Sequence, residues 1–162
     1  MANQRIWAPW RLRYVKNAKT STECVFCAKP GAGDDRENLI VHRGERAFVI
    51  LNLFPYTNGH LMVAPFEHVG RLQDVDPDVV AEMMDLAKQA MSRLEAVYDP
   101  EGFNIGVNQG RVAGAGVEGH IHLHVVPRWA GDNNYMPVLA DTRVMPQSLE
   151  DSYAAIAPKF DD

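Results

Sequence analysis

The stretch His120-Ile121-His122-Leu123-His124-Val125-Val126 constrains the fold more than any other part of this 162-residue chain. Alternate residues of a β-strand share a face. The pattern therefore predicts a strand over residues 120–126, with Ile121, Leu123 and Val125 on a core and three imidazoles on the opposite face. Three of the six histidines of the chain fall within five residues, which points to a built site and not to an ordinary solvated strand face. Successive same-face positions lie ~6.6 Å apart, so the outer pair spans ~13 Å, whereas metal–nitrogen bonds are only ~2 Å. One metal can collect two neighbouring histidines of such a strand but hardly all three. The three must divide their labour.

The remaining elements follow from periodicity and turn chemistry. Ala47–Leu53 reads as a strand, residues 55–59 as a turn on Pro55, Asn58 and Gly59, and His60–Ala64 as a second strand, together a hairpin. Asp76 and Pro77 open a long helix, whose Val80, Met83, Ala87, Ala90, Met91, Leu94 and Val97 form one apolar stripe. Val79, Met84 and Leu86 lie off that stripe, and a second apolar face predicts a partner. Phe103–Val107 is another strand, and a short helix begins near Gln147. Residues 29–35 read as a loop. His42 reads as a surface strand residue. Hairpins with one crossing helix predict an α+β fold, an antiparallel sheet of about five strands with one long and one short C-terminal helix.

The length fits a single domain. Residues 1–23 read as an N-terminal arm anchored by Trp7, Trp10 and Tyr14, residues 24–130 as the core, and residues 131–162 as a C-terminal extension. The net charge of -5 disfavours nucleic acid as the main partner. No apolar run approaches a membrane span, and the basic, aromatic N-terminus lacks an apolar leader core, so a cytoplasmic protein is expected.

Two further segments carry chemical potential. Cys24 and Cys27 have the spacing of a metal or redox pair and not of a secreted disulfide framework. The loop from Gly110 to Gly119 leads into the three histidines, and its glycines Gly110, Gly114, Gly116 and Gly119 let backbone N–H groups converge on an anion. A flexible connector is the plainer reading, but the loop's position favours phosphate.

Taken together, the His-φ-His-φ-His-φ-φ run in GHIHLHVVPRW resembles the signature of the histidine triad family. Asn52 followed by Gly59-His60-Leu61-Met62-Val63 is similar to the family's other nucleotide-binding segment. The stretches 7–10 (WAPW) and 131–137 (GDNNYMP) resemble a bacterial branch related to dinucleoside polyphosphate hydrolases and phosphorylases. The resemblance implies that His122 is the nucleophile that attacks an α-phosphorus, that His124 serves the bridging or leaving oxygen, and that His60 supports the triad. It also implies Asn52 at ribose hydroxyls, Asn108 at phosphate, and a zinc on Cys24, Cys27, His68 and His120. A nucleotide substrate and a symmetric homodimer, with the long helix or a central strand at the two-fold axis, are implied likewise. Imidazole suits the assigned role, because a group with pKa near 6.5 is largely a neutral nucleophile at neutral pH, and a covalent intermediate splits one hard displacement into two easier ones. Relatives often carry glutamine where Asn108 stands, and here Gln109 follows it. Phe48, Leu53 and Met62 are candidates for a base pocket or for plain core.

Three functions compete. The leading one is a hydrolase or transferase acting on nucleotide phosphoanhydrides or phosphoramidates, such as diadenosine tetraphosphate. In a phosphorylase, phosphate takes the nucleotide from His122; some relatives have serine where this chain has Gly116, which counts against it. A non-catalytic nucleotide-binding module does not need an intact nucleophile.

Overall fold

The computed structural model describes residues 23–132 and 145–161. The arm anchors Trp7, Trp10 and Tyr14, and the 131–137 stretch from Asn133 onward, lie outside the described residues. In chain order the elements are α1 (Val25–Gly31), β1 (Ile40–Arg43), β2 (Ala47–Leu51), β3 (Leu61–Pro65), α2 (Pro77–Tyr98), β4 (Gly102–Val107), β5 (Leu123–Arg128) and α3 (Leu149–Ile156), with short 3-10 turns between some of them. The five strands form one antiparallel sheet in the order β1-β2-β3-β5-β4. The α+β architecture follows the hairpin reading.

The sheet is covered on both sides, which explains why all five residues of β2 and of β3 are buried. One face carries Val49, Leu51, Leu61, Val63, Leu123 and Val125, which with Ile121 just before β5 pack against Val79, Met83, Leu86, Ala87, Ala90 and Leu94 of α2. Burying each of the large side chains contributes roughly 1.5–3 kcal/mol. The other face carries Phe48, Ile50, Met62 and Ala64, closed by Phe26 of α1. α2 starts where Asp76 accepts a hydrogen bond from the Asp78 N–H at 2.8 Å. It stops at Asp99, held left-handed at φ 47° and followed by Pro100, which cannot continue a helix. Ser148 caps α3 by accepting from the Asp151 N–H at 3.0 Å.

Several expectations are corrected. Lys29, Pro30 and Gly31 are not loop but the last turn of α1, a helix short enough to tolerate Pro30 near its end. Val79 and Leu86 do not form a second face: the helix is flanked by the sheet and by α3, its buried arc is wide, and both residues are in the core, leaving Met84 exposed. The strand expected from His120 begins only at Leu123. The β3–β5 ladder ends at the pair Val63–Leu123, and β3 closes on Pro65, which has no N–H to donate. The Ile121 N–H instead donates to the Val69 carbonyl at 2.7 Å. The alternation survives without the ladder, since Ile121 still enters the core. His42 lies on β1, half-buried, with its ring stacked on Phe160 at 4.9 Å.

Candidate active site and metal centre

Four buried histidines sit together: His60, His120, His122 and His124. β3 follows directly on His60, β5 carries His124, and the cross-strand pair Met62–His124 brings the two strands into register. Gly59 makes the entry to β3 possible. Its φ is +74°, and a Cβ there would lie 2.9 Å from Tyr98 Cε2, so this position favours glycine twice over.

The hydrogen bonds assign the protons. The backbone N–H of Tyr56 can only donate, and it lies 3.0 Å from His60 Nδ1. That nitrogen therefore accepts, and the proton of His60 sits on Nε2. His60 Nε2–H then donates to His124 Nδ1 at 2.9 Å, which places the proton of His124 on its own Nε2. In His122 the order is reversed. Nδ1–H donates to the His120 carbonyl at 2.8 Å, so the lone pair is on Nε2. The two rings meet edge to face, 4.9 Å apart between centroids. The site thus presents one nucleophilic nitrogen beside one N–H donor.

Burial keeps both groups neutral. Desolvation lowers the pKa of His122, opposed by its hydrogen bond to the His120 carbonyl. Desolvation, with the charge of His122 as a second cause, lowers His124 to about 4. A neutral imidazole is what an attacking nitrogen requires.

The first histidine of the run faces elsewhere. His120 Nε2–H donates to the Pro65 carbonyl at 2.8 Å, leaving Nδ1 directed at Cys24 Sγ (3.4 Å) and Cys27 Sγ (3.5 Å). His68 Nδ1 is 3.3 Å from Cys27 Sγ. The four candidate ligand atoms all lie within 4.8 Å of one another. A tetrahedron with bonds of ~2.0–2.3 Å has edges of roughly 3.3–3.8 Å, so the three spacings match a four-coordinate cation. Two thiols and two imidazoles form the donor set of a closed structural site, and the Pro65 carbonyl supplies the outer contact that orients a ligating ring. These four residues could hold a metal ion.

The other expected residues are placed unevenly. The Asn52 amide lies 3.3 Å from His60 Nδ1, and its oxygen accepts from the Phe54 N–H at 2.9 Å. Asn108, not Gln109, turns to the glycine loop: its amide nitrogen is 4.0 Å from where a Cβ on Gly114 would sit. Gln109 accepts from the Leu72 N–H at 2.8 Å and so belongs to the neighbouring turn. Gly114 has φ +91°, and Gly116 is exposed. Arg111 and Glu118 pair at 2.8 Å across the loop. Phe48 is fully buried and stacked on Phe66, and Met62 is also in the core, whereas Leu53 is exposed. Residue-type reasoning did not single out the Tyr56 N–H or the Pro65 carbonyl, which are backbone groups and carry no side-chain signal. It also passed over Phe26, although that residue stands between the two cysteines.

Comparison with known proteins bears on the family and the fold. The HIT domain family model matches residues 35–131. The chain is 37% identical to an AP-4-A phosphorylase from Mycobacterium tuberculosis, in an alignment covering 97% of this chain and 84% of that protein. A Zn-bound histidine triad family protein from Mycobacterium smegmatis superposes with a TM-score of 0.68 at 31% identity, over 89% of this chain and 95% of that one. A histidine triad nucleotide-binding protein from Sulfolobus tokodaii superposes with a TM-score of 0.69 at 24% identity, over 85% and 92%, and shows the shared fold.

Proposed function

The chain belongs to the HIT domain family, and from that premise we propose that it is an enzyme that cleaves the phosphoanhydride of an adenine dinucleotide, such as diadenosine tetraphosphate, through a nucleotidyl-histidine. The carrying observation is the fixed tautomer of His122, whose Nδ1–H is held 2.8 Å from the His120 carbonyl. His122 Nε2 attacks the α-phosphorus, forming a P–N bond while the P–O bond to the bridging oxygen breaks. His124 Nε2–H donates to that departing oxygen. An acceptor oxygen then attacks the same phosphorus, the P–N bond breaks, the electron pair returns to Nε2, and the proton of a water acceptor passes to solvent. Splitting the transfer in this way is the usual gain of covalent catalysis.

Asn52 is proposed for the ribose, and Asn108, Gly114 and Gly116 for the phosphates, supported by their places beside His60 and in the loop that enters the triad. Zinc is the proposed metal on Cys24, Cys27, His68 and His120. Its support is the donor set together with the Zn-bound relative. The ion would supply structural cross-linking there and no chemical step. A homodimer is proposed through the outer edge of β4, the last strand of the sheet, where Asn104, Ile105 and Gly106 are exposed. A monomer by light scattering at micromolar concentration contradicts that.

A second reading differs only in the acceptor. The relative named AP-4-A phosphorylase favours phosphate over water. Product analysis with diadenosine tetraphosphate separates the two. Hydrolysis yields AMP and ATP, while phosphorolysis yields ADP and ATP and requires added phosphate. His122→Ala should lose several orders of magnitude of rate with its fold intact, and a near-normal rate in that variant removes the mechanism.

A further inference from the structure

The Nδ1–H bond to the His120 carbonyl holds one edge of the His122 ring, and a single hydrogen bond restrains small rocking of the ring about χ1 and χ2 only softly. Its plane needs a second contact. Phe26 supplies one: its ring lies 4.7 Å from the His122 ring at an interplanar angle of 33°, and 5.3 Å from the His120 ring at 46°. These separations lie within the range of favourable ring pairs. Phe26 is only 3% exposed and joins Ile40, Phe48, Ile50, Met62 and Ala64 in the packing of its face of the sheet, so it has little room to yield.

Phe26 stands in Cys24-Val25-Phe26-Cys27, on the first turn of α1, between the two thiols that face His68 and His120. One short helix therefore presents sulfur to the four-residue cluster and an aromatic ring to the triad. His120 makes the same link from the other side. Its ring faces the thiols while its carbonyl holds His122.

We infer that Phe26 is a positioning residue for the nucleophile: it sets the plane of the His122 ring, and through α1 it ties that plane to the Cys24–Cys27–His68–His120 cluster. The inference rests on the reading of His122 as nucleophile. An imidazole lone pair must point along the line of attack, and a displacement of about 1 Å can reduce a rate on the order of 10²-fold. The contribution of Phe26 is to orientation and not to affinity, so it should show in kcat and not in KM.

The experiment uses Phe26→Leu and Phe26→Met, which keep an apolar side chain and remove the flat ring. Zinc content, melting temperature, kcat and KM with diadenosine tetraphosphate, and the rate of nucleotidyl-enzyme formation after rapid mixing are measured. The Nδ1–H proton resonance of His122 is followed by NMR in the substrate-free protein at one pH. At least one variant should retain the metal while kcat and the nucleotidylation rate fall at least about tenfold, KM stays within about twofold, and the Nδ1–H resonance broadens or disappears. Unchanged kcat, a change confined to KM, a resonance as sharp as in the parent, or loss of metal in both variants overturns the inference. If the parent protein itself forms no nucleotidyl-His122, the proposed function has failed, which is a different result from a Phe26 variant that forms it at the parent rate.

Discussion

His60 does not face the reacting phosphorus in the proposed mechanism, yet replacing it should slow the reaction in a diagnostic way. It accepts from the Tyr56 N–H at 3.0 Å and donates to His124 Nδ1 at 2.9 Å. His60→Leu removes both bonds and the contact with the Asn52 amide; Tyr56 is exposed, so its N–H can turn to water, while the buried Nδ1 of His124 loses its donor at a cost of about 1–3 kcal/mol. A stability loss of roughly 1–3 kcal/mol follows from that one buried nitrogen. The catalytic consequence is separate. Without a donor at Nδ1, His124 is free to carry its proton there, and Nε2 then offers a lone pair to the departing oxygen in place of N–H. A positioned proton donor contributes about 10²–10⁴-fold, and freeing the tautomer forfeits part of that. His60→Leu should therefore cost about tenfold or more in kcat, and no more than His124→Ala costs. The effect should shrink with a leaving group of lower pKa, which needs less help from a donor. Because His60 acts through His124, the losses should not add: His60→Leu/His124→Ala should be about as slow as His124→Ala alone. The assay is steady-state kcat for the two single variants and the double, with a poor and a good leaving group, at a temperature where all are folded. Additive losses, or equal losses with both leaving groups, refute the tautomer relay.

Three further outcomes are expected. Protein purified without chelator should carry about one zinc per chain; Cys24→Ser should lower both the zinc content and the melting temperature, and metal-free protein of unchanged stability would show the cysteines to be packing residues. His124, lowered to about 4 in the fold from an ordinary 6.5, binds its proton more readily when unfolded. Its contribution to stability is therefore complete above pH 6.5 and is lost as the pH falls toward 4. The drop in urea-unfolding free energy from pH 7 to pH 4.5 should be smaller in His124→Gln than in the parent by about 2 kcal/mol, and equal drops contradict the shift. Gly59→Ala must adopt φ +74° with its Cβ 2.9 Å from Tyr98 Cε2 and 3.0 Å from Leu94 Cδ2; a loss of roughly 2–4 kcal/mol in chemical denaturation is expected, and a neutral result would show that the turn relaxes freely.

Some of this protein is written in its linear pattern. The alternation from His120 to Val125 separates a core set from a histidine set, and Ile121, Leu123 and Val125 are buried in the α2-facing core as the period of two requires. Asp76, Pro77 and Pro100 bound α2 through local capping and backbone chemistry that needs no distant partner. The family resemblance of the histidine run, and not the spacing of the cysteines alone, implied the four-ligand set Cys24, Cys27, His68 and His120, which the fold brings within 4.8 Å. Local pattern has less power wherever the deciding partner is remote in sequence. The alternation does not reveal that Pro65 and Val69 draw His120 and Ile121 out of the ladder, so the strand begins three residues later than periodicity implies. Amphipathic counting on α2 misread Val79 and Leu86, because the width of a buried arc depends on how many elements pack around a helix. The proton positions in the triad depend on one backbone N–H, that of Tyr56, and one carbonyl, that of His120. Every residue except proline carries both groups, so their identity says nothing in advance. Tertiary packing alone chooses which of them meets an imidazole, and that choice makes His122 Nε2 the lone pair and His124 Nε2 the donor.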